Sequence, residues 1–160
     1  MLNVTEMAPD ARVWVYQSNK ELSQDEALLL KLKATEFVKG WTAHDNQLHA
    51  AAEIIYNRFL ILMVDEKHAM ASGCSIDKSV KFVKEMEATF NIRLLDRMHL
   101  AYKKGEQVLS CSKEAFEELM RKGEITDETI VFNNLVGTVG QLNSEWELPV
   151  AKSWHRSLIA

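Results

Sequence analysis

Cysteine and proline are scarce in this chain, at two residues each, and no apolar run approaches the roughly 20 residues that cross a membrane as a helix. Cys74 and Cys111 are too few and too far apart for a disulfide scaffold or a C-x-x-C metal knuckle, so both are expected as reduced thiols. Positive charge is also short: 19 Lys and Arg stand against 23 Asp and Glu, a net charge of −4. A general nucleic-acid binder needs a clustered basic excess to neutralise phosphates, so no nucleic-acid partner is expected. The one basic pair, Lys103-Lys104, reads as part of a hairpin turn. The first ten residues, M-L-N-V-T-E-M-A-P-D, have neither the basic flank nor the apolar centre of a secretory leader. With no membrane span either, a cytoplasmic location is expected.

No internal repeat, low-complexity tract or linker divides the sequence, so residues 1–160 are expected to form a single domain. A hydrophobic content of 47% is enough for a sizeable core.

The richest stretch is residues 58 to 79, R-F-L-I-L-M-V-D-E-K-H-A-M-A-S-G-C-S-I-D-K-S. Phe59 to Val64 are apolar without interruption, which predicts a strand covered on both faces or central to a sheet. Asp65 and Glu66 end it. Gly73 then lets the backbone turn, and Ser75 or Asp77 is expected to cap a helix, with the Cys74 thiol at its positive end.

Around this stretch the elements follow in order. Residues 11 to 17 alternate β-branched and aromatic side chains as a first strand. Ser23 with Glu26 is a capping-box pattern ahead of an apolar stripe at Ala27, Leu30, Ala34, Phe37, Val38 and Trp41, a helix that stops at Gly40. Alternation from Leu48 to Tyr56 predicts a strand joined to the central one by a tight hairpin through Asn57-Arg58. A second helix carries Ile76, Val80, Val83, Met86 and Phe90 on one face and ends on Asn91. A hairpin about Lys104-Gly105, a helix capped by Ser112 and ending at Gly123, and a last strand at Thr129 to Phe132 complete the order, leaving the remainder irregular or partly helical.

The expected fold is α+β: a mainly antiparallel sheet with helices packed on one face. Its core would be a ferredoxin-like, split βαβ arrangement, with the later hairpin, helix and C-terminal segment added to it.

Four patterns carry candidate chemistry. Leu60 to Glu66 has the form of a Walker B strand, but no glycine-rich loop ending in Lys-Ser or Lys-Thr is present to hold phosphates, so nucleotide hydrolysis is not expected. The turn from Ser72 to Asp77 has two readings. As a site, Cys74 is a thiolate nucleophile with His44 as base and Asp77 as orienter, or the N–H groups after Gly73, with Ser75, hold an anionic ligand. As structure, it is a glycine turn and helix cap. The histidines lack H-x-x-x-H spacing, and no metal is assigned; a site assembled from distant segments would first draw on His44, Asp65 and Cys74. The end of the chain, with Trp146, Glu147, Pro149, Trp154 and His155, reads as core, with Trp154 plugging a groove, as the aromatic wall of a pocket, or as a homodimer contact.

The segments R-V-W-V-Y-Q, W-T-A-H, A-S-G-C-S-I-D-K-S, T-I-V-F-N-N and W-E-L-P…S-W-H together resemble a family of small uncharacterised Bacteroidetes proteins often labelled "ABC transporter ATPase". The resemblance runs through nearly the whole chain and implies no catalytic residues. The label fits the Walker B-like strand and nothing else in the sequence.

The residues thus point to a cytoplasmic domain that binds a small molecule, an anion or a protein without complete catalytic machinery, with Gly73, Ser75 and Trp154 as ligand-binding candidates and a homodimer among its partners. The alternative is a thiol-dependent enzyme or redox protein using Cys74. No cofactor is assigned.

Overall fold

The computed structural model describes residues 6–158; residues 1–5, on which the reading of the N-terminus partly rests, and residues 159–160 lie outside the described residues. β1 (Arg12–Gln17) is followed by α1 (Gln24–Lys39), two short strands β2 (Thr42–Ala43) and β3 (Asn46–Gln47), then β4 (His49–Ile55), β5 (Phe59–Asp65) and α2 (Gly73–Phe90). Next come β6 (His99–Lys104), β7 (Gln107–Ser112), α3 (Lys113–Arg121), β8 (Ile130–Phe132), α4 (Val139–Glu145) and β9 (Glu147–Pro149). The described chain closes in 3-10 turns at Val150–Lys152 and Trp154–Leu158.

Local chemistry sets most boundaries. The Ser23 hydroxyl accepts from the Glu26 N–H at 3.1 Å while the Glu26 carboxylate accepts from the Ser23 N–H at 3.0 Å, the reciprocal box that starts α1. Tyr56 and Asn57 hold left-handed φ values of 57° and 52°, the pair that closes the β4–β5 hairpin with the right twist. Asn91 ends α2 in the same region, at φ 52°. The start of α2 differs from expectation. Ser72, in an extended conformation, accepts from the Ser75 N–H at 3.1 Å and is the cap; Ser75 is the third helical residue, and Asp77 is exposed one turn too late to serve. Gly73 is the first helical residue, and a Cβ there would meet nothing within 4 Å, so no left-handed turn explains it.

The strands form two antiparallel sheets, β1-β5-β4 and β7-β6-β8-β9, beside the β2-β3 ribbon. β5 is central and covered on both faces, as its unbroken apolar run predicts. Leu60, Leu62 and Val64 face a core shared with α1 and α2. Phe59, Ile61 and Met63 face the other way, onto Ala101, Val108 and Phe132 of the second sheet and Trp146. Truncating Ile61 to alanine in this closed layer costs about 2–5 kcal/mol. The outer face of the second sheet packs Leu100 and Val131 against Phe116 of α3 and Val150. The outer face of each sheet is therefore covered by helix, α1 and α2 on the first and α3 on the second, while α4 adds Val139 and Leu142 to the core between them. The expected one-sided cover applies only to α1 and α2, because the second sheet presents an apolar outer face of its own.

The order β1-β5-β4, with α1 and α2 on one face, is the arrangement of the first three strands in a split βαβ core. The fourth strand of such a core would lie along the free edge of β1. β6 instead pairs with β7 and β8 in the second sheet. The start of the β1 edge is taken by the segment before α4: Val13 donates to the Gly137 carbonyl at 3.1 Å and Val139 to that of Ala11 at 2.9 Å.

The strand at Ile130–Phe132 is not the last. Glu147–Pro149 pairs beside it at the sheet edge, where the missing proline N–H costs no ladder bond.

Candidate ligand-binding cleft

Because β6 leaves β1, a gap opens between the end of one sheet and the start of the other. It forms a cleft of about 220 Å³. β1 supplies Val15, Tyr16 and Gln17; the loop after α2 supplies Asp96 and Arg97; β6 supplies His99, Leu100 and Ala101. Phe132, Asn134 and Leu135 come from β8 and the turn beyond it, and Trp154 and His155 from the last 3-10 turn. Apolar side chains thus line the body of the cleft, and polar groups converge at its rim.

Side-chain amides span the gap. Gln17 donates through Nε2 to the His99 carbonyl at 3.0 Å and accepts through Oε1 from Asn134 Nδ2 at 2.9 Å. Asn134 Oδ1 in turn accepts from the indole N–H of buried Trp146 at 2.9 Å. Each amide is fixed at both ends, so the floor of the cleft is preorganised.

His99 belongs to a second tie between the sheets. Its Nε2 lies 2.9 Å from Ser110 Oγ, which also accepts from Arg58 Nη1 at 2.5 Å. Burial holds the His99 pKa below the usual imidazole value, the Asp96 charge opposing it. Arg58 is itself buried, with its Nη1 also donating to the Ser18 carbonyl at 3.3 Å. These groups are engaged in joining the layers.

His155 is placed differently. It is fully buried, its ring stacked on Trp154 at 3.9 Å and packed near Phe116 at 5.6 Å. Nδ1 is 2.6 Å from Ser153 Oγ, whereas Nε2 is buried without a hydrogen-bond partner. Burial pushes the imidazole pKa down to about 4, so the ring is neutral at neutral pH and presents one hydrogen-bonding nitrogen rather than a charge. Arg97 supplies the positive charge at the rim, exposed and without a carboxylate at ion-pair distance among the described residues. Asp96 is occupied locally, its Oδ1 accepting from the Met98 N–H at 2.9 Å. Tyr16 is buried beside them, its pKa raised by that burial against the opposing effects of Ser79 and Arg97.

Of the candidate site residues that the sequence singles out, Trp154 and its neighbour His155 line this cleft. Gly73, Cys74, Ser75 and Asp77 form the first turn of α2 instead. There the Ser75 N–H is taken by Ser72, and the Ser75 hydroxyl is buried, accepting from the Ser72 N–H at 2.6 Å. An anion at this turn would lose that donor. Cys74 is exposed, and His44 sits exposed at the tip of the β2–β3 ribbon with φ 50°. No hydrogen bond joins them among the described residues. Asp65 accepts from the Lys67 N–H at 3.0 Å and Glu66 from the Ala71 N–H at 2.8 Å, so both acids close the loop that follows β5. β5 runs antiparallel to both neighbours, unlike a strand of the parallel P-loop sheet. Among the described residues no group of three or more His, Cys, Asp and Glu could hold a metal ion.

The sequence reading missed Gln17, Arg97, His99, Asn134 and Leu135 as site residues. They come from three separated segments and carry no shared spacing. Only the Trp154-His155 pair, aromatic density in an otherwise irregular tail, signalled the location.

Among the described residues no helix is long and apolar enough to cross a membrane. Comparison with protein-family models, with characterised proteins and with solved structures finds no match to the chain.

Proposed function

We propose that this protein is a small-ligand binding domain whose site is the cleft between β1, β6 and the Trp154-His155 turn. The observation that carries the reading is His155: a neutral imidazole in the cleft wall with a buried Nε2 that no group among the described residues satisfies. A buried polar atom without a partner costs about 1–3 kcal/mol, which a ligand hydrogen bond at that nitrogen would recover. The volume of about 220 Å³ equals on the order of seven waters at ~30 Å³ each, which suits a metabolite-sized molecule. Arg97 at the rim favours a ligand with an anionic group beside its apolar part. Both cleft histidines touch serine hydroxyls, His99 that of Ser110 and His155 that of Ser153, but neither serine is among the described residues that line the cleft, and binding is the activity proposed for it.

A thermal-shift screen of small carboxylic acids and amides, run on the natural chain and on Trp154→Ala, tests this. Hits that raise the melting temperature of the natural chain and lose their effect in the variant support it. A screen in which every hit acts equally on both proteins would remove the cleft from consideration.

A second copy of the chain is the other proposed partner, favoured by Leu28, Leu29 and Leu32, which stand 60%, 45% and 59% exposed on the outer face of α1. Trp146 is not part of that surface, being buried in the core between the sheets. Light scattering that finds a dimer in the natural chain and a monomer in Leu28→Glu/Leu32→Glu supports this; a monomer at all concentrations contradicts it.

A further inference from the structure

The outer edge of β1 explains what kind of ligand the cleft takes. Arg12 pairs with Val64 on the inner side of the strand, and Val13 donates outward to Gly137. Backbone groups alternate sides along an antiparallel strand, so Val15 and Gln17 also point their N–H groups outward, and Val13 and Val15 their carbonyls. Outside the β1–β5 ladder, no described residue pairs with the Val15 N–H or C=O. Val15 is nevertheless buried, and buried backbone polar groups are almost always paired. Val15 also lines both the Trp154 cleft and a neighbouring trough of about 250 Å³ that runs on to Gly137. Tyr16, Arg97, Asn134 and Leu135 border both spaces as well, so the two adjoin as a channel along an open strand edge.

We propose that this channel binds a short extended peptide with a free carboxylate, one residue of which pairs antiparallel with Val15 while an apolar side chain enters the cleft beside Trp154 and Arg97 holds the carboxylate. The inference rests on the cleft being the binding site, and adds the class of ligand. Three observations fix the occupant. Val15 offers one donor and one acceptor on the same side, the pair that a single residue of an added strand exchanges. Arg97 borders both spaces and has no carboxylate partner of its own among the described residues. The open edge is short. It is closed at one end by the Gly137–Val139 pairing and at the other by the Gln17 side chain on the His99 carbonyl. From Val13 to Gln17 the strand spans about 13 Å at ~3.3 Å per residue, room for about two or three residues. A free di- or tripeptide fits this length; the tail of a protein would have to turn away at once.

The test uses N-acetyl-alanyl-leucine, its C-terminal amide, and 4-methylpentanoate, a carboxylate with the leucine side chain but no peptide group, each titrated into the full chain and followed by heteronuclear NMR. The acetylated dipeptide is expected to shift the Leu135 amide and Trp154 indole signals and to slow exchange of the Val15 amide by about tenfold or more at saturation. Its amide is expected to bind about tenfold more weakly, and Arg97→Gln, a change at an exposed residue, to reduce the acid to the affinity of the amide. If 4-methylpentanoate binds the cleft as tightly as the dipeptide and Val15 exchange stays fast, the peptide assignment fails while the small-ligand reading stands. If none of the three perturbs Leu135 or Trp154, both fail. Tighter binding of a longer peptide with the same last residues would replace the free short peptide by a protein tail and overturn the proposal.

Discussion

Gln17 and His99 are joined by one hydrogen bond of 3.0 Å, from the side-chain amide of the first to the backbone carbonyl of the second, at the place where a fourth strand would have laid a ladder against β1. That bond, extended through Asn134 to Trp146, is one of the ties between the first sheet's edge and the second sheet, and the cleft opens beside it.

Gln17→Leu should therefore cost more than its position near a strand end suggests. It leaves the His99 carbonyl and Asn134 Nδ2 without partners at a part-buried site, a loss of about 1–3 kcal/mol. Urea denaturation measures this, and a loss below about 0.5 kcal/mol would mean that the clasp contributes nothing beyond a surface contact.

Stability should fall with acid in a defined window. The His155 pKa is lower in the folded chain, about 4, than the ordinary 6.5, so the folded state favours the neutral ring. The stabilisation this gives is complete above pH ~6.5 and is lost as pH drops towards about 4, up to ~3 kcal/mol at about 1.4 kcal/mol per pH unit. The lowered His99 pKa acts in the same direction. His155→Gln should flatten most of this slope, leaving the part due to His99; an unchanged slope in denaturation curves across that range would show that His155 is not held neutral.

The cap of α2 separates two neighbouring residues. Ser72→Ala removes the acceptor of the Ser75 N–H and should cost about 1 kcal/mol, whereas Asp77→Ala, at an exposed position in the helix, should stay within about 0.5 kcal/mol. The reverse ranking would restore the cap one turn later.

The thiols should also differ. Cys74 is exposed, while Cys111 is half-buried and its pKa is raised by that burial, so iodoacetamide should modify Cys74 first in the native chain, and Cys111 should catch up only on unfolding. Mass spectrometry of the native protein reads the order. Because Cys74 lies outside the cleft, its modification should leave ligand binding unchanged; loss of binding would return the Ser72 to Asp77 turn to the centre of the account.

How far the sequence carried is visible in particular elements. The Ser23-Glu26 box, the apolar run of β5 and the Asn91 cap are local signals, and each lies where local chemistry puts it. The β2–β3 ribbon leaves no signal in the sequence because two-residue strands have no period, and its turn rests on left-handed His44 and Asp45. β9 was hidden by Pro149, which is tolerated only at an edge that the sequence does not reveal. The destination of β6 is a choice between partners distant in the chain, the β1 edge or the β7–β8 pair, and no local pattern encodes it. The cleft is a consequence of that choice, so most of its residues were invisible until the two sheets were in place.

The most direct test of the cleft as the binding site is a chemical-shift map of the strongest screening hit on the full chain. The account predicts that the largest changes fall on Val15, His99, Leu135 and the Trp154 indole, with Gly73 and Cys74 undisturbed. Changes centred on Gly73, Cys74 and Ser75, with Leu135 and Trp154 silent, would contradict it.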